Sequence, residues 1–321
     1  MRSRLTPAEC STVAAIAAVV IALHALGFVL LFAVVVPRHF TVGDSGVFGA
    51  GLGLTAYTLG LRHAFDADHI AAIDNTTRKL MAEGKRPLSV GLFFSLGHST
   101  IVFALAVAFS LGLRHVGGAW PHMIGPTVSG AFLWVIGVLN LLVLVSIVRL
   151  IQRPGGREEP VPEPHGLMSG LYRRAAVSAP WRMYPVGLLF GLGFDTATEV
   201  ALLASAGAAA AGGLPFYAIL CLPILFAAGM SLLDSIDGAF MTFAYGWAFS
   251  KPARKVFYNL TVTWLSVVVA LVIGTVELMS VFVGGLDLHY VGFAIVALFA
   301  VTWAGAVAVW RLARIEERWS P

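Results

Sequence analysis

Residues 63–72 read HAFDADHIAA, and residues 192–201 read LGFDTATEVA. Set with Phe65–Asp66 over Phe194–Asp195, the two stretches place a polar motif at matching points of two apolar segments. A second pair accompanies them: LFFSLGHS (92–99) aligns with ILFAAGMS (224–231) through Gly97-His98-Ser99 over Gly229-Met230-Ser231. The members of each pair lie an odd number of chain crossings apart, so the two copies run in opposite senses. Such an inverted repeat is found in secondary transporters, where substrate sits at the repeat interface and broken helices supply part of the site.

The composition agrees with a chain that crosses a bilayer. Of 321 residues 58% are hydrophobic and 12% charged, against about a quarter charged in soluble domains, and the mean hydropathy is +0.85. The expected fold is an all-α polytopic membrane protein, with no call for nucleic acid as a partner. Eight segments supply the roughly 20 apolar residues that span a hydrocarbon core about 30 Å thick. They cover 12–36, 46–70, 88–112, 127–150, 184–211, 215–248, 257–284 and 291–311. The sixth is too long for one straight crossing and is expected to break or to extend into the interface. The first follows MRSRLTPAECS, which resembles the basic start of a signal peptide, yet its apolar run continues from Thr12 to Pro37. A signal core has about 7–15 residues, so a retained first helix is expected. Cys10 and Cys221 are too few for a disulfide framework or a thiolate cage.

Charge sets the expected orientation. Arginine and lysine gather in alternate loops and termini, which hold 18 of the 21 basic residues, among them Arg78, Lys79, Lys85 and Arg86. That places both termini in the cytoplasm and the chain in the cytoplasmic membrane. The sequence divides into an N-terminal half, 1–150, with helices 1–4, a cytoplasmic linker, 151–183, and a C-terminal half, 184–321, with helices 5–8. The linker carries RPGGREEPVPEPHG, whose His165 reads as a solvated side chain.

Ionisable groups inside a bilayer cost about 2.5–3.5 kcal/mol each on insertion scales, so each is a candidate for function. At about 100° per residue, His63, Asp66 and His69 share one sector of a regular helix, and Asp68 points away unless the helix unwinds there. The other candidates are His98, Asp195 with Glu199, and Asp234 with Asp237 on a ladder that begins at Met230. Imidazole and carboxylate without thiolate suit divalent first-row ions such as Ni²⁺, Co²⁺, Zn²⁺ or Fe²⁺. A proton relay and structural hydrogen-bonded pairs are the competing readings. His24 reads equally as a packing residue or an auxiliary metal contact, and Glu277 as a helix-contact residue. Asp74 with Asn75 reads as an interfacial cap or a continuation of the polar face, and Arg62 is expected to pair with an acid and position it.

RHAFDADHI (62–70), FFSLGHSTIV (93–102), LGFDTATE (192–199) and GMSLLDSIDG (229–238) together resemble the signature motifs of the nickel/cobalt transporter family of membrane permeases. Ser235 stands where threonine is expected, which keeps the hydroxyl. The resemblance implies a single-chain secondary permease for uptake of Ni²⁺ or Co²⁺, with the metal as substrate and no cofactor or obligatory protein partner. It supports His63, Asp66, Asp68 and His69 as the core of a metal site, and carries over His98, Asp195, Glu199, Asp234 and Asp237. The alternatives are an exporter on the same scaffold, a membrane-embedded metalloenzyme and a purely structural subunit. No HExxH or GxxxxGK[ST] motif occurs, which speaks against the familiar zinc hydrolase and phosphate-loop chemistries.

Overall fold

A computed structural model describes residues 5–42, 46–110, 120–151, 177–192, 197–248 and 252–283, with isolated positions beyond. The protein is an all-α membrane protein among these residues, apart from a short hairpin of Phe40–Val42 and Gly46–Phe48. All but isolated positions of the eighth expected span, and the 152–176 part of the linker with His165, lie outside the described residues, as does Asp195.

Helix α1, Pro7–Val29, starts at a capping box. The Glu9 backbone N–H donates to Thr6 Oγ1 at 3.2 Å and the Thr6 N–H to Glu9 Oε2 at 2.7 Å. Two orphan donors of the first turn are thereby satisfied. The helix continues through a π segment, Leu30–Val35, and ends in the 3-10 turn Val36–Arg38 around Pro37, which has no N–H to prolong the ladder.

The second expected span departs from its sequence reading. It comprises α2, Ala50–His63, and α3, Ala67–Ala82, with a break between them and an end twelve residues beyond position 70. At the break the Phe65 and Asp66 N–H groups bond to the Arg62 and His63 carbonyls, at 3.1 and 2.8 Å, and Asp66 turns extended as the N-cap of α3. A regular helix through His63, Asp66 and His69 is therefore corrected. The interruption falls at Ala64–Asp66, because the Asp66 carboxylate is held by side chains of α2 instead of by the N–H groups of α3. The fifth span divides likewise into α6, Met183–Phe190, and α7, Ala197–Ala211.

Helix α4 runs Val90–Ser110 and α5 Trp120–Ile151; α8 runs Phe216–Ala248 and α9 Pro252–Val283. Helix α8 is unbroken for 33 residues despite Pro223, so of the two expected alternatives the break is absent and its surplus length is left to extend beyond the bilayer core. Pro7–Arg38, Val90–Ala108 and Phe216–Gly246 are each long and apolar enough to cross a membrane. Their lipid-side residues are apolar: on α8, Ile236, Phe240 and Phe243 are exposed.

Helices related by the sequence repeat make matching contacts in the packing. Helix α4 lies against α8, α5 against α9, α2 against α8 and α6 against α4. A Cβ at Gly229 would press on the Tyr57 carbonyl of α2, and one at Gly97 on the Tyr184 carbonyl of α6. These two glycines are the aligned pair of the sequence repeat. Gly84 and Gly213 also correspond: each follows its half-helix in the left-handed region, with φ of 80° and 75°. In both turns the next N–H reaches back to a helix carbonyl, Lys85 to Leu80 at 3.0 Å and Leu214 to Ala209 at 3.2 Å.

Candidate metal centre

Three imidazoles converge where the broken helices meet α4 and α8. His63 closes α2, His69 lies in the first turn of α3 and His98 is in the middle of α4. Their ligand atoms lie within 4.8 Å of one another. Together with Glu199 and Asp234 they are each at most 2% exposed.

Carboxylates orient the rings. Asp66 Oδ2 lies 2.7 Å from His63 Nδ1, a charge contact without hydrogen-bond geometry, and Asp66 also pairs with Arg62. His69 Nδ1 donates to Asp234 Oδ2 at 3.3 Å, and His69 Nε2 is buried without a hydrogen-bond partner. An Nδ1–H committed to a carboxylate leaves the Nε2 lone pair for a metal and raises its basicity. His63 Nε2 lies 3.0 Å from His98 Nε2, which donates to Glu199 Oε1 at 2.6 Å. Glu199, in the first turn of α7, is thus brought to the histidines from the opposite repeat, at 3.7 Å from His63 Nε2.

The other candidates take different places. Asp68 accepts the His69 backbone N–H at 2.9 Å at the start of α3, where helix N-terminal charge favours an anion. Asp237 lies one turn beyond Asp234, with Oδ2 buried and without a partner, and is not among the groups gathered around the imidazoles. The pairing expected of Arg62 is present with Asp66. His24 has both nitrogens engaged: Nδ1 donates to the Val20 carbonyl at 2.8 Å, and the Tyr57 hydroxyl donates to Nε2 at 3.2 Å.

Of the two readings of Asp74 with Asn75, burial favours the continued polar face over the interfacial cap, and Arg78 is corrected from a loop cation to a buried one. Tyr245 of α8 donates to Asp74, Arg78 Nη1 to Thr263 Oγ1 at 3.0 Å, and Asn140 Nδ2 to Asn75 Oδ1 at 2.5 Å. This network ties α3 to α5, α8 and α9, and sequence reasoning missed its distal members. The one available signal was Tyr245 following Asp234, Asp237 and Met241 along the same face of α8. Removing a hydroxyl that serves a buried carboxylate costs about 1–3 kcal/mol. Tyr245→Phe is accordingly expected to lower the unfolding temperature of the purified protein while leaving its nickel affinity unchanged.

Comparison with known sequences settles the family. A family profile described as NicO, high-affinity nickel-transport protein, matches residues 49–309. The chain belongs to this family. It is similar to the nickel transporter NicT of Mycobacterium tuberculosis, at 54% identity over all of this chain and 94% of the relative. It is 45% identical to the nickel transporter NixA of Staphylococcus aureus, over 94% of this chain and 95% of that one. It is 37% identical to the cobalt transport protein NhlF of Rhodococcus rhodochrous, over 94% and 93%. No solved structure matches. Membership makes the chain a membrane transport protein, not an enzyme, for which metal is substrate and not cofactor.

Proposed function

We propose that the protein is a secondary permease that takes up Ni²⁺, and also Co²⁺, across the cytoplasmic membrane, with both termini in the cytoplasm. The cargo ion binds His63, His69 and His98 through Nε2 and Glu199 through its carboxylate. Asp66 and Asp234 hold two of the rings from behind, and Asp68, Asp195 and Asp237 serve the ion's approach or departure. The observation that carries this reading is the convergence of three buried imidazoles, two of them with a carboxylate on Nδ1. The names of the nickel and cobalt transport relatives support the choice of ions.

Entry requires the hydrated ion to exchange water for imidazole and carboxylate donors. A membrane potential, negative inside, favours inward movement by about 2.3 kcal/mol per charge per 100 mV, twice that for a divalent ion. The residues 1–150 and 184–321 are proposed as the repeat-bearing halves, joined by the 151–183 linker. Their helices interleave, since α2 packs on α8 and α6 on α4, so alternating access would involve rearrangement within a shared bundle.

The test is uptake of radioactive Ni²⁺ and Co²⁺, each with the other as competitor, in cells expressing the wild type or His63→Ala. Saturable accumulation is expected in the wild type and is lost in the variant at equal membrane abundance. Accumulation below that of control cells would overturn uptake in favour of export.

A further inference from the structure

Phe94 and Phe226 occupy equivalent places in the repeat, each three residues before the aligned Gly97 or Gly229. Both are fully buried. Each rests on a different imidazole of the cluster: Phe94 meets His69 edge-on with ring centroids 4.7 Å apart, and Phe226 lies 5.3 Å from His63. Phe94 is also 6.4 Å from His98. Two phenyl rings, one from each repeat, thus flank the imidazoles where a soluble metal site would have water.

Among the described residues the donors turned to the centre are three imidazoles and Glu199, which make five ligand atoms if the carboxylate binds through both oxygens. A phenyl ring has no lone pair to offer, so the sides of the imidazoles that Phe94 and Phe226 cover present no donor to the ion. The His63 and His98 Nε2 atoms stand 3.0 Å apart. With metal–nitrogen bonds of about 2.1 Å, two ligands at a right angle are separated by about 3.0 Å and two at the tetrahedral angle by about 3.4 Å. A right angle is shared by cis ligands of square-planar, square-pyramidal and octahedral shells and speaks only against a tetrahedral one; Ni²⁺ with nitrogen and oxygen donors takes tetragonal geometry, whereas Mn²⁺ and Mg²⁺ prefer six oxygen-rich ligands and Mg²⁺ keeps several waters.

We propose that Phe94 and Phe226 are specificity-determining residues, which exclude water from the cargo ion and so reject divalent ions that require six ligands. This rests on the metal-site reading above. The rings contribute no bond to the ion; they set how many other bonds it can form. The hydrophobic shell of a metal site controls solvent access in this way.

The experiment has two parts. X-ray absorption of Ni²⁺ bound to the purified wild type in nanodiscs is expected to give histidine nitrogens and no more than five ligands. Six ligands including histidine would overturn the proposal while leaving the metal site standing; a shell without histidine would overturn the site reading itself, and the proposal with it. In cells, Phe94→Ala and Phe226→Ala are expected to make Mn²⁺ about tenfold more potent as an inhibitor of Ni²⁺ uptake, with the ligand number of Ni²⁺ rising in the purified variants. Phe94→Leu and Phe226→Leu, which keep the apolar closure, are expected to retain the wild-type ion preference. An unchanged Mn²⁺ sensitivity and ligand number in both alanine variants would overturn the proposal. Should those variants fail to fold, the wild-type coordination number still decides it.

Discussion

Glu199→Gln is expected to reduce Ni²⁺ uptake by roughly 100- to 1,000-fold or more, because removing one partner from a buried charge assembly costs about 3–5 kcal/mol. The substitution keeps the size and most of the shape of the side chain, so the loss would come from its charge. Asp66, Asp68, Asp234 and Glu199 bring carboxylates to the imidazoles, and Arg62 pairs with Asp66. Their negative charge offsets that of a divalent ion. With glutamine one of these charges is lost, and the loaded site must bury more uncompensated positive charge where the bilayer makes charge most costly. Radioactive uptake at equal membrane abundance, with calorimetric Ni²⁺ binding to the purified variant, measures the effect. Near wild-type binding and uptake would remove Glu199 from the site.

Gly60→Leu is expected to remove most of the folded protein. A Cβ at Gly60 would fall on the backbone carbonyl of Phe226, and backbone cannot step aside as a side-chain tip can. Overpacking a tight contact costs about 1–3 kcal/mol and sometimes more, and here the whole leucine must fit where even its first carbon does not. The consequence reaches the site, since this crossing of α2 and α8 sets His63 against Phe226. Membrane abundance and the elution profile of a fluorescent fusion would register the loss. Gly51→Leu is the matched control, because nothing lies within 4 Å of the position a Cβ would take there. Equal abundance of the two variants would show that the close approach is dispensable.

Much of the site was legible because intramembrane ionisable residues are rare and therefore informative. His63, His69, His98, Glu199 and Asp234 were all singled out by residue type alone. Their roles were less accessible. The angular argument grouped His63, Asp66 and His69 as neighbours on one helix, whereas the chain breaks at Ala64–Asp66 and Asp66 turns to Arg62 and the far side of the His63 ring. Helical periodicity assumes continuous backbone geometry and loses its meaning across an interruption. Asp74 was harder still: a carboxylate near the end of an expected span reads as interfacial, and only the extension of α3 to Ala82 and the Tyr245 hydroxyl explain its burial.

By itself, the sequence determined that the chain is an all-α membrane protein with polar motifs in an inverted arrangement, and which donor types a metal would meet. Those properties follow from local composition, hydropathy and spacing. Only the tertiary structure decided that His63, His69 and His98 meet Glu199 from the other repeat, and that Phe94 and Phe226 stand against their rings. Such juxtapositions depend on helix crossings between residues more than a hundred positions apart, set by glycine-mediated backbone contact and side-chain packing, for which spacing along the chain carries no distance.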